Sequence, residues 1–364
     1  MERIQVALEE RSYTIFIGES LLDRADEMLP PGDRRRAAIV TDANVGPLYA
    51  ESLSRSLGNA GLEVRIKEIE PGERSKSIEK AVELLDFFAE SDLSRADVVA
   101  ALGGGVVGDL AGFAASIYKR GIRVFHVPTT LMAQVDSAIG GKTGVDLDAG
   151  KNLVGTFYQP VAVIADVETL DTLPAREFTS GLAEVAKYGL IRPAMLPGAI
   201  EEKAELIRER DPGMLERVVA ACARVKADFV MADEYDTGER AALNYGHTLG
   251  HSLEAATEYS GAYTHGEAVS VGMVYAALVG EQVGVSQKGL ADRHRGVLRS
   301  LGLPTGPLDP PPEFDELMGA IVHDKKSLGD ITMVLLEEEG QPVLRRALDP
   351  IILKQCYERL LEGD

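Results

Sequence analysis

Cationic residues are in short supply in this chain: 38 Lys and Arg stand against 58 Asp and Glu over 364 residues, a formal net charge of −20 at pH 7. Such a surface repels nucleic acid and anionic membrane, and no block of Lys or Arg marks a local exception. Any small anionic substrate must therefore be drawn in by a local cluster of cations inside an acidic shell. Long apolar runs are missing too. Nothing approaches the roughly 18 to 20 residues that span a bilayer, and the start, MERIQVALEE, lacks the charged-then-apolar profile of a signal peptide. A cytoplasmic protein is expected. The longest apolar candidate, Ala268 to Gly280, is bracketed by Glu267 and Glu281 and reads as a buried helix. Only two cysteines occur, Cys222 and Cys356, in helical-looking stretches without a Cys-x-x-Cys pair, so they read as inert core positions.

What is present divides in two. The length exceeds the usual ceiling for one hydrophobic core, and 45% hydrophobic residues supply two. In the first half AAIVT (37–41), VRIKEI (64–69), DVVAAL (97–102), RVFHVP (123–128) and VAVIAD (161–166) read as strands, with a helix in SIEKAVELLDFFAES (77–91). That alternation is the βαβ signature of a mostly parallel sheet. From about Pro174 to Phe178 onward long helical periods take over, with almost no strand signal until ITMVLLE (331–337). An α/β domain over residues 1–176 and a helical one over 177–364 are expected. LPTGPLDPPPEFDEL holds five prolines, which no helix tolerates, and sets off a C-terminal segment.

Three stretches can carry chemistry. DVVAALGGGVVGDLAGFAAS runs from a buried strand through Gly103, Gly104, Gly105 and Gly108 into a helix, where close backbone approach and a free helix N-terminus suit a diphosphate. The spacing also fits an ordinary tight turn, and it sits on about the third strand rather than the first. Asp42, at the end of an earlier strand, reads either as a ribose acceptor favouring NAD or as a cap. Lys142, Lys151 and Asn152, in the Gly-rich loop expected for GGKTGVDLDAGKNLVGTFYQP, suit an anion but do not match a Walker A loop, and a solvated basic loop is the other reading. His247 and His251, in LNYGHTLGH, are four apart and share a helix face, in a chain with only six histidines. Yet the Glu of an H-E-x-x-H protease is absent. His265 at a Gly-flanked helix start and Glu184 with Lys187 on one turn complete the candidates. His247, His265 and Glu184 would make a two-histidine, one-carboxylate zinc set; by spacing alone, core histidines are the plainer reading.

The ordered series GERSKS, LGGGVVGDLAGFAAS, PTTLMAQVDSAIGGKTGVD, GKNLVGTFYQP, TLPAREFTSGLAEVAKYGLI, LNYGHTLGH, HGEAVSVGM and DKKSLGDITMVLL, from about residue 13 to 336, closely resembles the 3-dehydroquinate synthase family. The metal triad and Gly-rich turn are shared with the wider sugar phosphate cyclases and polyol dehydrogenases. The resemblance implies an α/β N-terminal NAD-binding domain, an all-α C-terminal metal-binding domain, an active site in the cleft between them, and a homodimer. It implies one divalent metal, zinc or cobalt, on Glu184, His247 and His265, with His251 one turn away facing the pocket. For NAD it implies Asp42, Asn44, Glu73, Lys76, Gly103, Gly104, Gly105, Asp109, Thr129, Thr130, Lys142, Lys151, Thr169 and Thr172.

For the substrate, 3-deoxy-D-arabino-heptulosonate 7-phosphate, the resemblance implies Asp136, Lys142, Lys151, Asn152, Lys187, Lys226, Arg240, Asn244, His251, Lys325 and Lys326. Among them Asn152, Asn244 and Lys142 would contact phosphate, Arg240 and Lys226 carboxylate, and Arg120 the phosphate of the partner subunit. Such a cation cluster outweighs the diffuse surface field, which salt screens beyond ~8 Å. The implied reaction, a shikimate-pathway step, is transient oxidation by NAD, phosphate elimination, re-reduction, ring opening and intramolecular aldol closure. Two positions depart from the family pattern: Asp236 stands where Glu is usual, and Asp146 where Asn is usual. The alternatives are another cyclase (inosose or valiolone type), which the carboxylate-binding residues disfavour, a metal-dependent polyol dehydrogenase, which would release NADH, and a non-catalytic nucleotide-binding protein.

Overall fold

The computed structural model describes residues 1–147, 149–192, 197–257, 261–324 and 331–363. Among them the strands are β1 (Glu2–Val6), β2 (Tyr13–Gly18), β3 (Arg36–Asp42), β4 (Glu63–Ile69), β5 (Val98–Gly103), β6 (Arg123–Pro128), β7 (Lys142–Leu147), β8 (Gly150–Phe157) and β9 (Ala162–Asp166). Seven of them form one sheet in the order β1-β2-β9-β6-β5-β3-β4. β1 runs antiparallel to β2 at the edge; the other neighbours are parallel. β5, VVAALG, is buried at every position, as expected where helices cover both faces. Val98, Ala100 and Leu102 enter one apolar layer with Leu53, Leu57 and Phe125. Val99 and Ala101 enter the opposite layer with Leu84, Phe88 and Leu110.

Three helices connect this sheet: α1 (Gly46–Asn59), α2 (Ile78–Glu90) and α3 (Gly105–Ile117). From β3 the chain moves outward through α1 to β4, then back through α2 to β5 on the other side of β3. That reversal is a topological switch, beside whose strand C-termini ligands bind in open α/β sheets. Val40 pairs with Ala101, so Asp42 is level with Gly103 two residues on in each strand. The Gly-rich turn thus sits at the switch despite not following the first strand.

Lys142, Lys151 and Asn152 lie on an antiparallel hairpin, β7 with β8, not in an irregular loop. The glycines that suggested a loop have another use. A Cβ on Gly155 would stand 2.2 Å from the Thr143 carbonyl oxygen, so bare backbone is what lets the two strands close.

The contacts divide the chain into Met1–Leu173 with Pro212–Tyr235, and Pro174–Asp211 with Asp236–Asp364. The chain first crosses between units at Pro174, whereas the sequence reading draws a single cut after residue 176. Of the helices that follow, α4 (Ala175–Ile191), α5 (Pro197–Glu202) and α6 (Ala204–Arg208) open the second unit. α7 (Pro212–Ala232) returns to the first unit, packing on β1 and β2 and burying Leu215, Val218, Val219 and Cys222. Its periodicity marks a buried face without saying which core receives it. The second unit continues with α8 (His247–Ala256), α9 (His265–Gln282), α10 (Leu290–Ser300), α11 (Phe314–Asp324) and α12 (Pro350–Glu362). It is helical as expected, with one ladder besides, β10 (Met333–Leu336) against β11 (Pro342–Arg345). α9 is buried from Ala268 to Gly280; Cys222 and Cys356 are both buried. No helix among the described residues is long and apolar enough to cross a membrane.

Candidate functional site

The second unit brings Glu184, His247 and His265 together, with one ligand atom from each inside 4.8 Å of the others. Their placement follows from local sequence. Thr264 and Glu267 form a reciprocal capping box, which starts α9 at His265. Gly246, at φ +81°, caps α8 in the left-handed region, where glycine carries no Cβ penalty, and starts that helix at His247. Glu184 comes from the middle of α4 and is fully buried. Close backbone contact draws these elements together: a Cβ on Gly266 would stand 1.9 Å from the Ser180 carbonyl oxygen, and one on Gly272 1.9 Å from that of Gly246.

His247 Nε2 is 3.7 Å, and His265 Nε2 3.8 Å, from Glu184 Oε1. Both rings are fixed from behind. His247 Nδ1–H donates to the Tyr245 carbonyl at 3.1 Å, and His265 Nδ1–H to Glu254 Oε2 at 3.1 Å. This tautomer leaves each Nε2 lone pair facing the carboxylate. Burial, reinforced by the Lys187 ammonium, holds His247 well below the ordinary imidazole range, so it is neutral and ready to ligate. Burial works the same way on His265, but the Glu254 hydrogen bond and charge prevail and push it up. Lys187 Nζ pairs with Glu184 Oε2. Glu184 Oε1 is buried and makes no hydrogen bond among the described residues. A buried carboxylate oxygen facing two imidazole lone pairs lacks what the three share, a cation. The residues fit a divalent metal of the zinc type, with room for further ligands.

His251 is exposed one turn along α8, its ring centroid 5.3 Å from that of His247 and 5.9 Å from that of His265. His251→Ala is expected to keep its metal but lose turnover or substrate affinity, read by quantitative metal titration beside steady-state kinetics. Metal loss as complete as in His247→Ala would make both histidines ligands. Glu254 is the residue that sequence reasoning missed. Its signal was its place seven residues after His247, on the same stripe of α8 as His251.

In the turn Glu239–Asn244, just ahead of α8 in the chain, Arg240 is buried and Asn244 exposed. Lys325 and Lys326 lie outside the described residues. In the first unit, the Gly103–Gly105 turn leads into α3, whose N-terminus has no side-chain cap; its first N–H groups suit a diphosphate. Asp42 Oδ1 accepts from the Asn44 and Val45 amides at 2.8 and 3.1 Å, so Asp42 does serve as a turn residue with that oxygen. Lys76 reaches Asp109 at 2.6 Å and Asn152 Oδ1 at 2.5 Å; Lys151 is 3.5 Å from Glu73. Burial raises Asp109 to about 6 even against Lys76. Asp146 accepts the Asn152 amide at 2.7 Å, which an Asn side-chain oxygen would do equally. That departure from the family pattern therefore costs no contact there.

Lys226 pairs with Asp136 at 2.7 Å. Thr169 Oγ1 accepts from Gln134, Thr172 Oγ1 is 2.6 Å from the Tyr49 hydroxyl, Thr130 Oγ1 accepts the Ala133 amide, and Thr129 is buried. Lys142 and Arg120 are exposed.

Two family models match the chain, meeting inside α4. A model described as 3-dehydroquinate synthase N-terminal matches residues 66–180, and one described as 3-dehydroquinate synthase C-terminal matches residues 181–327. A protein of Caulobacter vibrioides named 3-dehydroquinate synthase is 44% identical over 357 residues, 96% of each chain. Among solved structures, 2-deoxy-scyllo-inosose synthase complexed with carbaglucose-6-phosphate, NAD+ and Co2+ superposes with a TM-score of 0.90 at 28% identity, over 98% of this chain and 100% of that one. The 2-epi-5-epi-valiolone synthase of Streptomyces hygroscopicus, with NAD+ and Zn2+ bound, gives 0.88 at 29% identity over 98% and 99%.

Proposed function

The chain belongs to the 3-dehydroquinate synthase family, and on that premise we propose that it converts 3-deoxy-D-arabino-heptulosonate 7-phosphate to 3-dehydroquinate and phosphate. It acts as a carbon–oxygen lyase, cytoplasmic and homodimeric. The observation that carries the reading is the Glu184, His247 and His265 donor set with its buried, unbonded carboxylate oxygen, within a chain 44% identical over nearly its whole length to a protein of that name. The inosose and valiolone synthases share the shape at only 28% and 29% identity.

Glu184, His247 and His265 hold the metal, and the Gly103–Gly105 turn with Asp42, Lys76 and Asp109 holds NAD. When bound, the metal would supply Lewis acidity toward a substrate hydroxyl, and NAD a reversible hydride acceptor. The chain's own groups do the rest. Lys142, Asn152 and Asn244 bind the phosphate, and Lys226 and Arg240 the carboxylate. Lys187, beside Glu184, places a cation where negative charge gathers on the substrate oxygens. His251 holds one conformer for the ring closure, where orientation does most of the work. Arg120 serves the phosphate of the neighbouring protomer.

The test is to supply the heptulosonate phosphate with NAD well below the substrate concentration. Phosphate and dehydroquinate should form together for many turnovers per NAD, with no lasting absorbance of NADH. NADH accumulating mole for mole with phosphate would move the protein to the dehydrogenase branch.

A further inference from the structure

The two histidines of the centre are braced by different acceptors. Behind His247 stands a neutral backbone carbonyl, that of Tyr245, at 3.1 Å. Behind His265 stands a carboxylate, Glu254, at the same distance. His265 needs it more. Its side chain is 34% exposed against 13% for His247, and it is the first residue of α9, so little packing stops the ring from turning. Glu254 is itself only 12% exposed and projects from α8 on the stripe that carries His247 and His251, at spacings of four and then three residues.

We infer that Glu254 is a positioning residue: it locks the His265 ring and tautomer so that Nε2 faces the metal, and its charge makes that nitrogen a better donor. The inference rests on the metal centre proposed above. The other way to use Glu254 is as a ligand, since His251, Glu254 and His265 also bring donor atoms within 4.8 Å of one another. That set is the poorer one. It would take Glu254 Oε2 away from His265 Nδ1, and it would leave buried Glu184 Oε1 with no cation to face, a costly state for a carboxylate.

Metal affinity separates these roles without reference to turnover. The full chain, as wild type, Glu254→Ala, Glu254→Gln and His247→Ala, is titrated with Zn2+ against a chromophoric chelator, with circular dichroism confirming the fold. Glu254→Ala should bind about 10- to 100-fold more weakly than wild type. Glu254→Gln, which keeps an acceptor but not the charge, should fall between the two, and its Co2+ complex should show shifted visible bands at undiminished intensity. Wild-type affinity in Glu254→Ala overturns the inference, as does a loss as complete as in His247→Ala, which would make Glu254 a ligand. A wild-type chain that binds no Zn2+ in the same titration removes the centre, and this inference with it.

Discussion

Replacing His247 by Ala is expected to strip the chain of its metal and abolish turnover while leaving the fold in place. The ring sits at the first turn of α8, its Nε2 3.7 Å from Glu184 Oε1, and it is held neutral by burial, so no proton has to leave when it binds. Binding energies of about 10 to 16 kcal/mol for four-ligand zinc sites assign roughly 3 to 4 kcal/mol to each ligand. The loss is therefore on the order of a hundred- to a thousand-fold in affinity. Little stability should go with it. The close backbone contacts that seat α8 against α9 lie at Gly246 and Gly250, not at the His247 ring. Elemental analysis of the purified variant, with a thermal melt beside it, reads both halves of the expectation. Full metal occupancy in His247→Ala would sink the ligand assignment.

Gly266→Ala should do the reverse, breaking the fold around ligands that are all still present. A methyl there meets the Ser180 carbonyl oxygen at 1.9 Å, its carbonyl carbon at 2.5 Å and its Cα at 2.8 Å. All three are backbone atoms of α4, so no rotamer change relieves the clash; a whole helix must move. Overpacking of side chains costs about 1 to 3 kcal/mol, and a clash against helical backbone belongs at the top of that range or above it. The Gly266 amide also donates to Ser180 Oγ at 3.0 Å, a bond that moves with the helix. An unfolding free energy from urea denaturation lowered by about 3 kcal/mol or more, together with weakened metal binding because His265 shifts away from Glu184, is the expected result. An unchanged free energy would mean that α9 does not approach α4 this closely.

These cases show where the sequence was readable and where it was not. The inner strands of the sheet were plain because burial on both faces writes an unbroken apolar run, as in VVAALG. β7 and β8 were hidden because their pairing depends on glycines 144 and 155 lying against each other, and glycine otherwise signals a turn. The direction of α7 was hidden for another reason: a helix records how wide its buried face is and nothing about the core it joins. At the centre, His247 and His251 stood out by spacing, but the partnership of His247 with Glu184 and His265 is long-range and came only with the ordered motifs of the family. Glu254 went unread despite its place on that stripe, because a Glu on a helix is ordinary until its neighbour in space is known.

The return of α7 to the first unit has a consequence for how the chain is made. Synthesis runs from the N-terminus, and domains generally fold as units as they emerge. Here the first unit is not complete when residue 173 leaves the ribosome. The face of β1 and β2 that α7 covers stays bare until Pro212–Ala232 has been made, after the candidate ligand Glu184 and all of α4 are already out. The nascent sheet must wait, with apolar surface showing, through the opening stretch of the other unit. For the same reason no single cut divides this protein into two continuous pieces that could each be produced alone: the chain crosses between units after Leu173, Asp211 and Tyr235.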